Sequence, residues 1–494
     1  MTAVVELHRS AAAAAVLEAA PRRLRKRWLA FSAVITASVM DLLDSTVMNV
    51  AAPAIRADLG GSYASLQWMA AGYTMALAVL LLVGGRLGDL VGRKQALLIG
   101  VGGFTVTSFL CGLAVSSEML IAARVAQGAF AAIMLPQGFG LARDLFEPGE
   151  QAKAFGFFGP VMGLSAVIGP IVGGTLLDAD LLGSGWRAIF LVNIPVGIFT
   201  FIVAAKYLPN TQPVGRRISL DIPGLLIAGT GLVALVYPLV QGHEIGWPLW
   251  SKALLVASVP VLAGFGVYQS RRQRSGATPL IEPRLLRSRS YLSGVFFAVV
   301  FFGAMAGTFV LGMFLQVGLG YTPIHASLAM APWAFGALIG SAVSGIAMQK
   351  YGRKLLHIGL ALMAMGLVGL YGVLALIGLN VGHWDLAVPN LIGGAGMGMV
   401  FVPLFDIVLS GVRDEEVGSA TGMLGSLEQV GIALGIAVIG TIFMGKVADA
   451  EPATRSLAAL DGAQVALLAT LGGIALAFAV GFLLPKTARP GVEH

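Results

Sequence analysis

The sequence predicts an all-α polytopic membrane protein: fourteen transmembrane helices forming two pseudo-symmetric six-helix bundles, with two further helices inserted between them. Three observations carry this. The chain is 57% hydrophobic and only 12% charged, about half the charge share of soluble globular proteins, which leaves too little polar surface to cover a water-facing globule. The apolar residues come in blocks of about 20, the length that crosses a bilayer core as a helix. A basic turn recurs in both halves, as a duplicated bundle would leave it.

Taken in chain order, residues 1–27 read as a cytoplasmic tail. Part of it is helix-prone through Ala11–Ala15, and it ends in Arg22, Arg23, Arg25, Lys26 and Arg27. No small-residue cleavage site follows a short apolar core, so it is not a secretory leader. Apolar stretches then lie near 28–50, 64–84, 95–115, 119–140, 155–177, 187–207, 222–241, 252–270, 292–317, 326–348, 355–379, 387–411, 420–445 and 463–485. Pro136, Pro170 and Pro403 fall inside them, which a membrane bundle tolerates because neighbouring helices re-satisfy the freed backbone groups. Many of the 66 glycines stand at spacings that let helices approach closely.

Charge orients the chain. Of the 32 Lys and Arg, only Arg56, Arg187, Lys252, Lys446 and Arg455 fall on the side opposite the N-terminal tail, and Arg124 lies within a span. The rest sit in alternate loops and the tails, so the spans are even in number and both termini are cytoplasmic. The net charge of +7 is therefore a membrane-face charge, and nucleic acid is not an expected partner. The longest basic loop carries Arg271, Arg272, Arg274, Arg284, Arg287 and Arg289 and reads as a solvated face near anionic headgroups.

The repeated turn runs from Gly85 to Lys94 and again from Gly345 to Lys354. Gly85 pairs with Gly345, Gly92 with Gly352, Arg93 with Arg353 and Lys94 with Lys354. This divides the chain into a tail (1–27), an N-terminal six-helix bundle (28–207), a linker with two extra helices and a basic loop (208–290), a C-terminal six-helix bundle (291–485) and a cytoplasmic tail (486–494).

Catalytic or metal-bound chemistry finds no support. Cys111 is the one cysteine and reads as packing, and the six histidines are scattered without ligand spacing and read as loop or surface residues. The glycines at 393, 394, 396 and 398 lie inside an apolar span with no preceding strand, so they read as helix packing rather than a nucleotide loop. No Walker motif is present, and neither cofactor, metal nor nucleotide is expected.

Asp41, Asp44, Arg124, Asp406 and Glu428 are ionisable residues inside spans. Each costs about 2.5–3.5 kcal/mol near the bilayer centre on insertion scales, so each must face a cavity or a partner. Asp44 and Arg124 are expected to pair, with a strength that depends on protonation; a permanent structural salt bridge is the competing account. Asp41, three residues from Asp44, shares its helix face.

Four motifs together resemble the major facilitator superfamily, in particular its fourteen-helix drug–proton antiporter family, over about residues 28–485. They are Leu43-Asp44 through Thr46 and Asn49 to Pro53 in span one, the Gly85–Lys94 turn, Leu120 through Arg124 to Gln127-Gly128 in span four, and Gly169-Pro170 with Gly173-Gly174 in span five. Gln67-Trp68 and Trp186-Arg187 fit the same family. Phe130 and Ser165 depart from its usual small residue and first glycine, and Phe130 is expected to narrow a pocket beside span four. The resemblance implies a cell-membrane exporter, bacterial and functional as a monomer, exchanging an amphiphilic compound for protons between two rocking bundles. It implies that Gly85, Asp89, Gly92, Arg93 and Lys94 form a cytoplasmic gate. Gly169, Pro170, Gly173 and Gly174 would form the antiporter motif, with Gly163 extending its smooth face toward the opposite bundle. Asp44, Arg124, Asp41, Asp406 and Glu428 would couple protons. Phe301, Phe302, Met305, Phe309, Met313 and Phe314 on span nine are candidates for an adaptable pocket, although packing of several of them in the core or against lipid is the favoured account. The alternatives are a proton-coupled transporter of one metabolite and, more remotely, a membrane-embedded enzyme.

Overall fold

The computed structural model describes residues 2–146, 150, 168–180, 183–210, 221–242, 244–409, 412, 417–448 and 450–485. Side chains are described from Lys26 onward, except at 49, 63, 89, 139, 143, 286, 349, 402, 406, 409 and 417–419. The described chain is helical almost throughout. In order come α1 (Thr2–Leu59), α2 (Tyr63–Val91), α3 (Arg93–Gly112), α4 (Ser117–Met134), α5 (Gln137–Leu145), α6 (Ile168–Ala179), α7 (Ala188–Leu191) and α8 (Asn193–Tyr207). There follow α9 (Ile222–Gln241), α10 (Leu249–Arg274), α11 (Arg289–Ala304), α12 (Ala306–Met313), α13 (Pro323–Tyr351), α14 (Arg353–Ile377), α15 (Ala387–Leu409), α16 (Val417–Ala448) and α17 (Arg455–Gly481).

Thirteen helical stretches among the described residues are long and apolar enough to cross a membrane. The fifth expected span is represented by α6, and residues 155–167 of it lie outside the described residues. Helix ends follow capping chemistry. Ser62, Ser116, Asp221, Ser288 and Thr322 each accept a backbone N–H at the start of α2, α4, α9, α11 and α13. The repeated turn is built the same way twice. Gly92 (φ 93°) alone separates α2 from α3, and Gly352 (φ 48°) alone separates α13 from α14. A one-residue reversal at positive φ is where glycine is needed.

Helices α1–α8 pack on one another, as do α11–α17, while α9 and α10 pair together and α9 lies along both α2 and α16. On the face carrying the Gly92 and Gly352 turns, here the turn face, the two bundles keep separate apolar cores. One runs from Phe31 and Met40 to Phe104, Leu141 and Phe146. The other runs from Val295 and Phe301 to Leu404, Leu424 and Ile474. On the opposite face a single core holds Met48 and Ala51 of the first bundle together with Phe309, Phe314 and Phe443 of the second. The halves thus share a core on that face, whereas toward the turn face they meet along the α2–α16 seam, where Leu82 and Val83 pack against the second bundle's core.

The inserted pair braces this arrangement. Val236 of α9 packs with Ala71 of α2 and Ala437 of α16, covering the seam between the halves. Near the opposite face, Glu244 accepts from the Ala64 N–H at 2.9 Å. Near the turn face, the following loop buries Leu280, Ile281 and Leu285 in the second bundle's core. Its Thr278 and Pro279 carbonyls accept from Arg86 of α2.

Candidate functional site

The site starts from one polar face on α4. Arg124 and Gln127, three residues apart, share that face, and both are fully buried at 1% and 0% exposure. Asp44 of α1, 4% exposed, lies against them. Arg124 Nη1 donates to Asp44 Oδ2 and to Gln127 Oε1 at 2.8 Å, and its Nε donates to the Met69 carbonyl at 3.2 Å. The other carboxylate oxygen, Asp44 Oδ1, accepts from Gln127 Nε2 and from Asn193 Nδ2 of α8, both at 2.9 Å. Ser108 of α3 closes the network: it accepts from Gln127 and Asn193 at 3.2 and 2.9 Å and donates to the Phe190 carbonyl at 3.1 Å. Cys111 lies at its edge, 3.6 Å from Gln127 Oε1.

The expected Asp44–Arg124 pair is therefore present, within a larger set than the two charges. Every group facing Asp44 is a donor, and an ionised carboxylate is an acceptor only, so the shell is built for the anion. A proton on Asp44 would displace one of these donors.

Asp41 stands in a different setting. Tyr73 of α2 donates its phenol O–H to Asp41 Oδ1. Glu428 of α16 lies in the same neighbourhood, across the seam between the bundles. Glu428 makes no hydrogen bond or ion pair among the described residues. The Tyr73 ring lies under the Arg124 guanidinium, 4.2 Å from its centroid. The structure thus joins four of the five expected in-span charges into one neighbourhood. The side chain of the fifth, Asp406 on α15, lies outside the described residues.

Of the gate candidates, Arg93 and Lys94 bind within their own bundle. Arg93 donates to both oxygens of Asp144 at 3.0 and 3.1 Å and to the Gly140 carbonyl, holding α3 to α5. Lys94 donates to the Leu208 carbonyl just past α8. The second bundle makes the matching tie with a different residue: Arg353 donates to the Phe482 and Leu484 carbonyls just past α17. Gly85 is exposed, and the Asp89 side chain lies outside the described residues.

On α6, Gly169 faces Leu43 and Thr46 of α1, and Gly173 faces Val47. Gly174 faces the Ile324 backbone of α13, where a Cβ would come within 2.7 Å of Cα. Only Gly174 thus meets the opposite bundle. Pro170 is part-buried, and Gly163 lies outside the described residues.

Two expectations, on Phe130 and His357, need correction, and the span-nine set is largely packed, as favoured from the sequence. Phe130 covers Gly103 of α3 rather than narrowing a pocket. Phe301, Phe302, Phe309, Met313 and Phe314 are packed in the core, and only Met305 of that set lines a cavity. His357 is not a loop or surface residue: it sits in the second turn of α14, against Phe478 and Phe482. The cavity, about 40 Å³, lies inside the second bundle between Thr308, Trp333, Gly366, Asn390 and Thr470. Sequence reasoning gave no role to Tyr73, Ser108 and Asn193. Asn193 carried a usable signal, since an amide inside an apolar span needs partners as an ion does.

The Major Facilitator Superfamily model matches residues 34–436. The chain belongs to the major facilitator superfamily. It is a multi-pass bacterial membrane transporter acting on small molecules rather than an enzyme. Among its relatives, it is 46% identical over 433 residues to a probable actinorhodin transporter of Streptomyces coelicolor, covering 86% of this chain and 74% of that one. It is 34% identical over 429 residues to a tetracenomycin C resistance and export protein of Streptomyces glaucescens (86% and 77% covered). It is 34% identical over 467 residues to a puromycin resistance protein of Streptomyces alboniger (93% and 90%). Among solved structures, a bacterial homologue of the human lysosomal transporter Spinster, inward-facing and unoccupied, superposes with a TM-score of 0.64 at 18% identity, covering 93% of this chain and 96% of that one. That likeness concerns the fold.

Proposed function

We propose that this transporter exports an amphiphilic antibiotic across the cytoplasmic membrane in exchange for protons. The observation that carries the proton part is the constellation of buried Tyr73, Arg124 and Asp44 with part-buried Asp41 and Glu428, whose acidic members stand on helices of both bundles. The export part rests on the relatives named for antibiotic export or resistance. Asp44, with both oxygens satisfied, holds Arg124. Asp41 and Glu428 have few donors and lie at the seam, so they exchange protons as the bundles move; Asp406 is a second acidic candidate by its place on α15. The basic turn face is cytoplasmic with both termini, so the described form is closed to the outside. Gly85, Asp89, Gly92, Arg93 and Lys94 act as the cytoplasmic gate and the glycine face of α6 as a sliding surface. A membrane potential supplies about 2.3 kcal/mol per charge per 100 mV, so one proton per cycle sustains roughly a forty-fold gradient at that potential.

The test is growth of a drug-sensitive bacterial host expressing the full chain on actinorhodin, tetracenomycin C, puromycin and a dye panel, with paired efflux assays. Resistance that a protonophore abolishes, and that Asp41→Asn removes, is the expected result. Protein present in the membrane that protects against nothing would exclude antibiotic export and favour transport of a single metabolite.

A further inference from the structure

Between the two acidic settings stands one side chain, Tyr73. Its hydroxyl donates to Asp41 and its ring supports Arg124. It is 2% exposed and stands beside the Asp44–Arg124 ion pair without being part of it. Its position follows from the span-four motif. Gly128 lies against the Tyr73 backbone, and a Cβ there would come within 3.2 Å of the Tyr73 Cα and closer still to its carbonyl. Any larger residue at 128 would push α2 from α4 and lift the ring off the guanidinium. The glycine next to Gln127 thus sets the distance between Arg124 and Tyr73.

We propose that Tyr73 is the positioning residue that transmits the charge state of the Asp41–Glu428 pair to the buried Asp44–Arg124 pair. This rests on the proton-exchange reading above and names the part through which the two acidic settings communicate. When Asp41 is ionised, the phenol donates to it and is fixed in orientation. When Asp41 takes a proton from water, its new O–H donates to the phenol oxygen, and the phenol O–H turns to another acceptor. Tyr73 keeps its own proton throughout. The ring stays in place: it is richer in electrons while the phenol donates to a carboxylate and poorer once the phenol oxygen accepts, so its cation–π hold on the guanidinium above it rises and falls with the charge of Asp41. The ionisable groups facing this region are Asp41 and Asp44 from α1, Arg124 from α4, Cys111 from α3 and Glu428 from α16. From α9 there is only Tyr237, which faces Trp68 and Trp250.

The test is a double-mutant cycle that does not depend on transport. The full chain in lipid nanodiscs is titrated by pH-difference infrared spectroscopy, and the Asp41 carboxyl band is assigned by its loss in Asp41→Asn. Asp44→Asn is expected to move the midpoint of that band by about half a pH unit or more when Tyr73 is present. The same change should be less than a third as large in the Tyr73→Phe background, which keeps the ring and removes only the hydroxyl. Gly128→Ala, which keeps every ionisable group, should weaken the coupling in the same way. Equal shifts with Tyr73 present and in the Tyr73→Phe background would overturn the proposal, because the acids would then sense each other directly through space. A thermal midpoint like that of the unsubstituted protein confirms that Tyr73→Phe is folded. In parallel, efflux of ethidium from whole cells reads the export function. Failure of efflux with an intact cycle removes the export reading and leaves the coupling standing. Efflux with an additive cycle does the reverse.

Discussion

The interiors of the two bundles are filled by opposite means. In the first, helices α1, α3, α4 and α8 meet around charges and amides, with Asp44, Arg124, Gln127, Ser108 and Asn193 buried in mutual contact. In the second, α13, α14 and α15 meet around glycine. Gly394 lies on the Trp333 backbone, Gly398 on Ala337 and Ser341, and Gly396 on Gly359 and Met363. The polar residues of that interior, Thr308, Asn390 and Thr470, line a small cavity instead of bonding to one another. Its volume of about 40 Å³ holds a few water molecules at most. Duplication thus preserved the turn and the helix order, while the low-dielectric centre of one copy became a charge network and that of the other a close-packed stack. On the proton-exchange reading proposed above, the first bundle responds to a proton and the second moves as a rigid body.

Substitutions can break this contrast. The largest effect is expected from Arg124→Met. It leaves Asp44 as a buried carboxylate without its cation, which costs about 3–5 kcal/mol. A fall in thermal midpoint and in membrane yield would show it, and the double change Arg124→Met with Asp44→Leu should recover much of the loss. If the single change is neutral, the network is not what holds the first bundle. Next comes Gly394→Ala. Its Cβ would meet the Trp333 carbonyl group, with the carbonyl carbon at 2.7 Å, so α13 and α15 must part at a cost of about 1–3 kcal/mol. That change should leave the pH dependence of efflux unaltered, whereas Asp41→Asn should abolish it.

A smaller contrast compares hydroxyls. Ser108→Ala removes an acceptor shared by two buried amides and should cost about 1–2 kcal/mol. Thr308→Val removes only a bond to its own helix at Met305 and should stay within about 0.5 kcal/mol. Melting curves of the two variants compare them directly. The smallest effect concerns Asp58, at the end of the first bundle away from the turns. Hydrogen bonds from Trp186 and from Arg187 hold its carboxyl below the usual carboxylate range. A depressed folded value means that the clamp contributes above the unfolded value, about 3.9, and fades as pH falls through the folded one. Acid stability should therefore drop slightly below about pH 4, and Asp58→Asn should flatten that drop.

Much of the fold was legible because bilayer-spanning helices announce themselves by length and loop charge, and because the two turns match at Gly85 and Gly345 and at Gly92-Arg93-Lys94 and Gly352-Arg353-Lys354. The Asp44–Arg124 pair was legible for the same reason that it exists: a charge in hydrocarbon needs a partner. Tyr73 was not, since an aromatic residue in an apolar span looks like packing until the partner of its hydroxyl is known. The roles of the antiporter glycines were only half legible. Spacing shows a smooth face but not which neighbour it meets, and Gly169 and Gly173 meet their own bundle. His357 was misjudged because a histidine near a span end looks solvated, and only the aromatic rings of α17 show otherwise.

The single core on the face away from the turns has a thermal consequence. Any motion that parts the bundles there must wet side chains such as Met48, Phe309 and Phe443, which now lie at 0–3% exposure. Exposing apolar surface raises heat capacity by about 0.45 cal/K/mol for each Å². The free energy of that opening must therefore bend with temperature instead of following a straight van't Hoff line. A conformational equilibrium followed by a spectroscopic probe on that face should show this curvature, and motion confined to the turn face, where the cores are already separate, should show less.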